Sequence, residues 1–290
     1  MRVGIVILPE HRWWAAEPLW RMAEEYGFDH AWTYDHIGWK SLVDKPWFDA
    51  VPTLTAAATV TSTIRLGTLV ASPNFRHPVQ FARELTALDD ISDGRLTLGV
   101  GAGGTGFDAQ VLGQDELSAE QRSERFGEFV ELLDRILTHD VTDYDGQHFK
   151  AVQARRAPGC VQLPRIPFVV AANGTASMRL AAQHGQGWVT TGRGGDTEEA
   201  WWQRVAELSL RFTDICHEHG IDPLRVPRYL QADAAPEFTL DSVERFRDVI
   251  GRATELGFTD VITHWPRNES PYAGSESTIE EIATEILPEL

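Results

Sequence analysis

Residues 65–106, RLGTLVASPNFRHPVQFARELTALDDISDGRLTLGVGAGGTG, read as strand, loop, helix, strand and glycine-rich loop, which is one βαβ step. Pro78 stands where a helix would open, and the runs at 65–71 and 96–101 have the apolar, β-branched character of buried parallel strands. Each strand is followed by a loop that carries more than packing requires. Ser72, Asn74, Arg76 and His77 follow the first, and a run of glycines follows the second. In α/β folds ligands bind at the carboxyl ends of the strands, so these loops are where chemistry is expected.

The same alternation extends in both directions. Strand-like runs lie at 2–8, 30–35, 65–71, 96–101, 167–172, 187–192, 225–232 and 260–265. Helical periodicity lies at 17–26, 47–61, 78–91, 121–138, 175–184, 197–219, 241–256 and 278–287. Asp241 suits an N-cap, and Gly27, Gly185, Gly220 and Gly257 follow helix ends. Eight such pairs in 290 residues fit an α/β fold of the (β/α)₈ TIM-barrel kind, one domain spanning 1–290, with a doubly wound open sheet as the competing architecture. Residues 140–166 break the rhythm, and the YDGQHF stretch around Asp145-Gly146 predicts a small hairpin inserted in the barrel.

Composition narrows the function classes. A formal net charge of −17 opposes binding to nucleic acid or to an anionic membrane. Two cysteines in no motif, an apolar amino-terminal stretch too short for a signal peptide, and no run of membrane-spanning length lead to the expectation of a reduced, soluble, cytoplasmic protein. Only three lysines occur and none lies in one of these strand-like runs, which disfavours Schiff-base chemistry. His217 and His219 are two residues apart on a helix, so they do not form an i, i+4 zinc pair.

The glycine run satisfies G-x-G-x-x-G twice, from Gly99 and from Gly101. A dinucleotide fingerprint belongs in the first βα turn and leads straight into a helix, and neither holds here. The glycines, Gly103 among them, serve either a backbone that approaches a flat ligand or a crowded strand end. Asp35-His36 closes the second strand, where an imidazole suits proton transfer and the bland alternative is a capping Asp beside a solvated His. Arg76 offers a fork to an anion or else forms a surface salt bridge. Ala172-Asn173-Gly174-Thr175 fits phosphate binding at a helix start, or ordinary capping. Thr190-Thr191-Gly192-Arg193-Gly194-Gly195 repeats the pattern after the sixth strand, and Trp39 and Trp265 follow strand ends where they could wall an apolar pocket.

Taken together, GFDHAWTYDH (27–36), AAATVTSTIRLGTLV (56–70), HPVQFARELTALDDISDGRLTLGVGAG (77–103), RFGEFVELLDRIL (125–137) and RLAAQHGQGWVTTG (179–192) resemble the luciferase-like monooxygenase superfamily, in that order. The resemblance implies a (β/α)₈ enzyme using coenzyme F420, with FMN as the alternative, acting on a small-molecule substrate. It implies that Asp35 and His36 are a cofactor-contacting pair with His36 in proton transfer. It also implies that Leu69, Val70 and Ser72 back the cofactor ring, with a non-prolyl cis peptide at Leu69–Val70. Ala172, Asn173 and Gly174 then hold the cofactor phosphate, and Trp39, Arg76, Arg193 and Trp265 face substrate. The chain departs from the family at 103–108, GGTGFD, where many members place a Glu near the cofactor. An F420-dependent hydride-transfer oxidoreductase is the first expectation, an FMN-dependent monooxygenase the second, and a non-catalytic flavin-binding or partner subunit the third. A homodimer is the candidate assembly. Because both cofactors are anionic, at least two of Arg76, Arg155, Arg156 and Arg193 are expected at the cofactor cleft.

Overall fold

The computed structural model describes residues 1–290. In chain order the strands are β1 (Arg2–Val6), β2 (His30–Thr33), β3 (Arg65–Thr68), β4 (Leu96–Val100), β5 (Val141–Asp145), β6 (Lys150–Arg155), β7 (Phe168–Ala171), β8 (Gly187–Thr190), β9 (Arg228–Gln231) and β10 (Asp260–His264). The helices are α1 (Trp13–Glu25), α2 (Ala50–Val60), α3 (Pro78–Ile91), α4 (Phe107–Gln110), α5 (Ala119–Thr138), α6 (Thr175–His184), α7 (Glu198–Glu218), α8 (Val243–Glu255) and α9 (Glu276–Glu285). Eight strands close into a parallel barrel in the order β1-β10-β9-β8-β7-β4-β3-β2, and β5 and β6 form a separate antiparallel pair. This is the (β/α)₈ fold, with the hairpin inside the expected 140–166 insertion. No helix is long and apolar enough to cross a membrane.

Contacts divide the chain into two compact units. The first comprises residues 9–17 and 33–169. Its α3 opens on His77, whose Nδ1 accepts from the Val79 N–H at 3.3 Å, with Pro78 in the first turn. Phe81, Phe126 and Phe129 are fully buried, and Phe149 brings the hairpin onto the ring of Phe129. Glu128 on α5 accepts from the backbone N–H groups of Gln147, His148 and Phe149 at 2.8–3.1 Å, which holds the β5–β6 turn. Asp89, buried in α3, accepts from Val161 N, Gln162 N and Gln162 Nε2 at 2.7–3.2 Å and so fastens the far end of the insertion.

The second unit comprises residues 1–8, 18–32 and 170–290. Register pairs Arg2 with Asp260 and Gly4 with His30, so three polar side chains meet beside one another. Arg2 donates twice to Asp260 at 2.7 and 2.8 Å, and His30 Nε2 lies 3.0 Å from the same carboxylate. A Cβ at Gly4 would run into the His30 imidazole, which accounts for the glycine in the middle of β1. Trp188 of β8 stacks on Phe212 of α7 at 4.5 Å and on Phe258 at 5.9 Å.

Two boundaries differ from expectation. The first helix begins at Trp13 and keeps Pro18 inside it. The carbonyl that Pro18 cannot bond belongs to Trp14, which is 77% exposed and can bond water instead. The cap of α8 is Ser242 rather than Asp241, its Oγ accepting from Arg245 N at 3.1 Å.

Candidate active site

Asp35 and His36 follow β2 and turn to different partners, as consecutive residues of an extended chain do. Asp35 is 1% exposed and takes a two-pronged bond from Arg76, at 2.7 and 3.2 Å. The same guanidinium bonds Asp49 at 3.1 Å and Glu84 at 3.2 Å. Burial raises the Asp35 carboxyl above the usual carboxylate range, with Arg76 pulling the other way. Burial alone would weaken the proton affinity of Arg76, but its bonds to Asp35 and the surrounding carboxylates raise it, so the guanidinium stays charged.

His36 is held from its Nδ1 side. That nitrogen lies 2.5 Å from Oδ2 of Asp108, and the other oxygen of Asp108 accepts from Ile37 N at 2.8 Å and Gly38 N at 3.2 Å. Asp108 sits in the one-turn helix α4, and its side chain is 7% exposed, against 30% for His36. Trp47 Nε1 donates to the His36 carbonyl at 2.8 Å. The Nε2 of His36 makes no hydrogen bond within the protein. Tyr34 meets the His36 ring edge-on at 5.8 Å and Trp39 at 5.1 Å, and Trp39 stacks on Trp47 at 6.5 Å. The result is an imidazole with one nitrogen fixed by a carboxylate and the other exposed beside aromatic rings.

The end of β3 lies in the same unit. Leu69 N donates to Thr33 O, and Thr68 Oγ1 and Ala71 N both donate to Gly99 O, at 2.7–2.8 Å. The Leu69–Val70 peptide bond between them is cis. A Cβ at Gly99 would collide with the Thr68 carbonyl oxygen, so the closeness of β3 and β4 requires that glycine. Ser72 Oγ accepts from Asn74 N at 3.4 Å. Asn74 then donates to Gly104 O at 3.2 Å and accepts from the buried Arg125 at 2.5 Å. Gly103, at φ +74°, lies so close that a Cβ there would meet the Asn74 amide. The glycine loop is thus seated on Asn74.

In the other unit, Asn173 joins the loop after β7 to the loop after β8. Thr190 Oγ1 donates to Asn173 Oδ1 at 2.5 Å, and Asn173 Nδ2 donates to Thr191 Oγ1 at 3.1 Å. Gly192 N donates to Thr190 Oγ1 at 3.1 Å, and Trp201 Nε1 to Thr191 O at 2.9 Å. Ala172 is buried beneath them and Gly174 caps α6 through its backbone alone. A cavity of about 310 Å³ opens here, lined by Asn173, Arg193, Arg204, Glu207, Leu208 and Arg211.

Residues 1–217 match the profile of a family described as luciferase-like monooxygenase. The chain belongs to that family. An uncharacterised protein of Mycobacterium tuberculosis is 30% identical over 283 residues, covering 92% of each chain. An F420-dependent glucose-6-phosphate dehydrogenase of Amycolatopsis mediterranei is 30% identical over 265 residues, 84% of this chain and 77% of that one. Among solved structures, the coenzyme F420-dependent tetrahydromethanopterin reductase of Methanopyrus kandleri superposes with a TM-score of 0.77 over 99% of both chains at 19% identity.

Of the side chains expected to matter in a luciferase-like protein, Asp35, His36, Trp39, Leu69, Val70, Ser72, Arg76 and Gly103 fall in one unit, and Ala172, Asn173, Gly174, Arg193 and Trp265 in the other. Two have a different setting from the one anticipated. Arg76 gives its fork to three carboxylates of its own chain, and Trp265 is buried against Tyr26, ring centroids 6.1 Å apart. The cations differ as well. Arg155 stands exposed on β6, whereas Arg193 shares its cavity with Arg204 and Arg211, which sequence reading passed over. It also passed over Asp108. The one signal was position, since Asp108 ends the GGTGFD string where the family pattern expects a nearby acid.

Proposed function

We propose that this protein is an F420-dependent oxidoreductase in which His36 carries the proton that accompanies hydride transfer to or from a small organic substrate. The observation that carries the proposal is the Asp108–His36 pair, whose free Nε2 lies at a strand end of a luciferase-like barrel. The F420-dependent dehydrogenase relative supports the choice of deazaflavin over FMN.

The residues present fit such a group. Val70, half-buried over the buried Leu69, offers apolar surface at the end of β3, and the glycine loop at 103–104 brings backbone rather than side chains to the same unit. The arginines of the second unit suit a phosphate. When bound, coenzyme F420 supplies two electrons as hydride at its central ring carbon; the protein supplies placement and proton handling. With Nδ1–H donated to Asp108, neutral His36 presents a lone pair at Nε2 and can accept a proton there, and the charged ring can return it. Tyr34 meets the imidazole edge-on and is itself packed by Trp39, which stacks on Trp47, so aromatic surface lies on one side of the ring.

Anaerobic titration of the purified protein with F420 and with FMN tests the cofactor. The expected result is a dissociation constant for F420 lower by about tenfold or more, roughly 1.4 kcal/mol. Tight FMN binding with oxygen consumption by the reduced complex would instead assign the chain to flavin-dependent monooxygenation. For the proton role, His36→Asn is expected to slow turnover by about 10²–10⁴-fold with cofactor affinity retained. Turnover within about threefold of the parent would remove His36 from proton transfer.

A further inference from the structure

We infer that the organic substrate received at His36 is uncharged and mostly apolar, and that Phe107 and Val111 bind its non-reacting part. That this ligand is the substrate rests on the proposed function; the binding face itself does not.

The chain leaves fourteen large apolar side chains exposed, and five of them flank His36 and its partner Asp108. Ile37 and Phe48 lie between β2 and α2, and Phe107, Val111 and Leu112 lie in α4 and just after it, all 37–55% exposed. Single exposed apolar residues are ordinary on a protein surface, whereas a joined group marks a binding face. These are joined by printed contacts of the backbone and rings. Val111 N donates to Phe107 O at 2.9 Å, and that single helical turn puts both side chains on the same face of α4. The Phe107 ring lies so near Gly38 that a Cβ there would come within 2.9 Å of it. Asp108 draws the same loop in through Ile37 N and Gly38 N, at 2.8 and 3.2 Å. The carboxylate that orients the imidazole therefore also sets an apolar face beside the loop that carries it.

Charge opposes an anionic ligand at this face. Residues 36–49 and 103–118 together hold two lysines against five acids, and no arginine. Lys40 lies over the Trp39 ring at 4.6 Å, and the neighbouring Arg76 is committed to Asp35, Asp49 and Glu84. A phosphate or carboxylate approaching His36 across these loops would meet a negative field, which a neutral molecule does not feel. Apolar contact remote from the reacting carbon then does the positioning.

The test uses 2-alkanones of four to ten carbons, neutral molecules that differ only in apolar length, and no cofactor. Their affinities are read by displacement of the neutral dye Nile red from the parent, from Phe107→Gln/Val111→Gln and from Phe107→Leu/Val111→Ile. Thermal melting checks that each variant is folded. Parent affinity is expected to rise about threefold per added methylene, and the Gln variant to flatten this to less than about 1.5-fold. The Leu/Ile variant keeps the face apolar and should keep the parent's slope. A second measurement ties the face to His36. Diethyl pyrocarbonate modifies exposed imidazole, and peptide mapping follows the rate at His36 alone. Saturating 2-decanone is expected to slow that rate about tenfold in the parent and little in the Gln variant, with glucose 6-phosphate giving no protection. Length-dependent binding with protection sustains the inference even if F420 does not bind, so it and the proposed function fail separately. Affinity independent of length, equal slopes in parent and Gln variant, or equal protection by glucose 6-phosphate would overturn it. So would a lower sedimentation mass in the Gln variant with ketone affinity unchanged, which would assign the face to a second copy of the chain.

Discussion

Asp108 accepts from three donors at once, the His36 imidazole and the backbone N–H groups of Ile37 and Gly38, and it does so from a sequence distance of 70–72 residues. It therefore sets both the tautomer of the ring and the path of the loop that carries it. Asp108→Asn would keep the shape and one backbone acceptor, but its amide could turn an N–H toward Nδ1 and move the ring proton to Nε2. We expect turnover to fall by about 10²–10³-fold, with KM for the organic substrate little changed and a displaced pH–rate profile. Asp108→Glu should recover part of the loss, and an unchanged pH profile in Asp108→Asn would reduce Asp108 to a loop clasp. Arg76 has a different part. Removing it as Arg76→Met strands the buried Asp35, and the expected result is a stability loss of about 3 kcal/mol in denaturant unfolding rather than a substrate-specific rise in KM. Local pattern could place His36 at a strand end, because a strand end is a local property. Asp108 was out of its reach, since the contact depends on how two loops from different strands meet.

At the scale of elements, the stretch LDDISDGR (88–95) at the end of α3 is structural. Asp89 holds the backbone at Val161 and Gln162, Asp93 and Gly94 turn the chain at φ +52° and +75°, and Arg95 bonds the carbonyls of Ala58, Thr61 and Ile64. None of these groups belongs to the candidate site. Asp89→Ala leaves two partly buried backbone N–H groups and the Gln162 amide without their acceptor, and the expected cost is about 1–2 kcal/mol, with protease cleavage appearing first near 156–166. Cleavage elsewhere would mean that the insertion is anchored by other contacts. The eight barrel strands and the larger helices were legible because burial on both faces writes unbroken apolar runs, and helices write a 3.6-residue period. The four-residue α4 was not, being too short to show a period, and it is the element that carries Asp108.

For the molecule as a whole, the buried carboxylates decide how it responds to acid. Burial by itself would raise the Asp260 carboxyl, but bonds from His30, Arg2 and Thr259 outweigh it and hold the group below its ordinary range. Asp233 behaves alike, with His264 at 2.7 Å and Thr239 N at 2.9 Å outweighing its burial. A carboxyl depressed in the folded state stabilises that state fully above its unfolded value, about 3.9, and loses the contribution as pH falls toward the folded value. Asp35 has the opposite sign, since its raised carboxyl takes up a proton more readily in the folded state than in the unfolded one. The two depressed carboxyls should therefore reduce stability as pH falls through and below about 4, while Asp35, raised in the folded state, opposes them as it takes up its proton. Asp260→Asn isolates one of them. It should be less stable than the parent at pH 7 by about 2–4 kcal/mol, because His30 and Arg2 lose their charged partner. The gap should narrow steadily below about pH 4, where the parent's own Asp260 becomes protonated. Unfolding free energies of the two proteins measured across this range provide the check, and a gap that stays constant into acid would mean that Asp260 is not held in its ionised form.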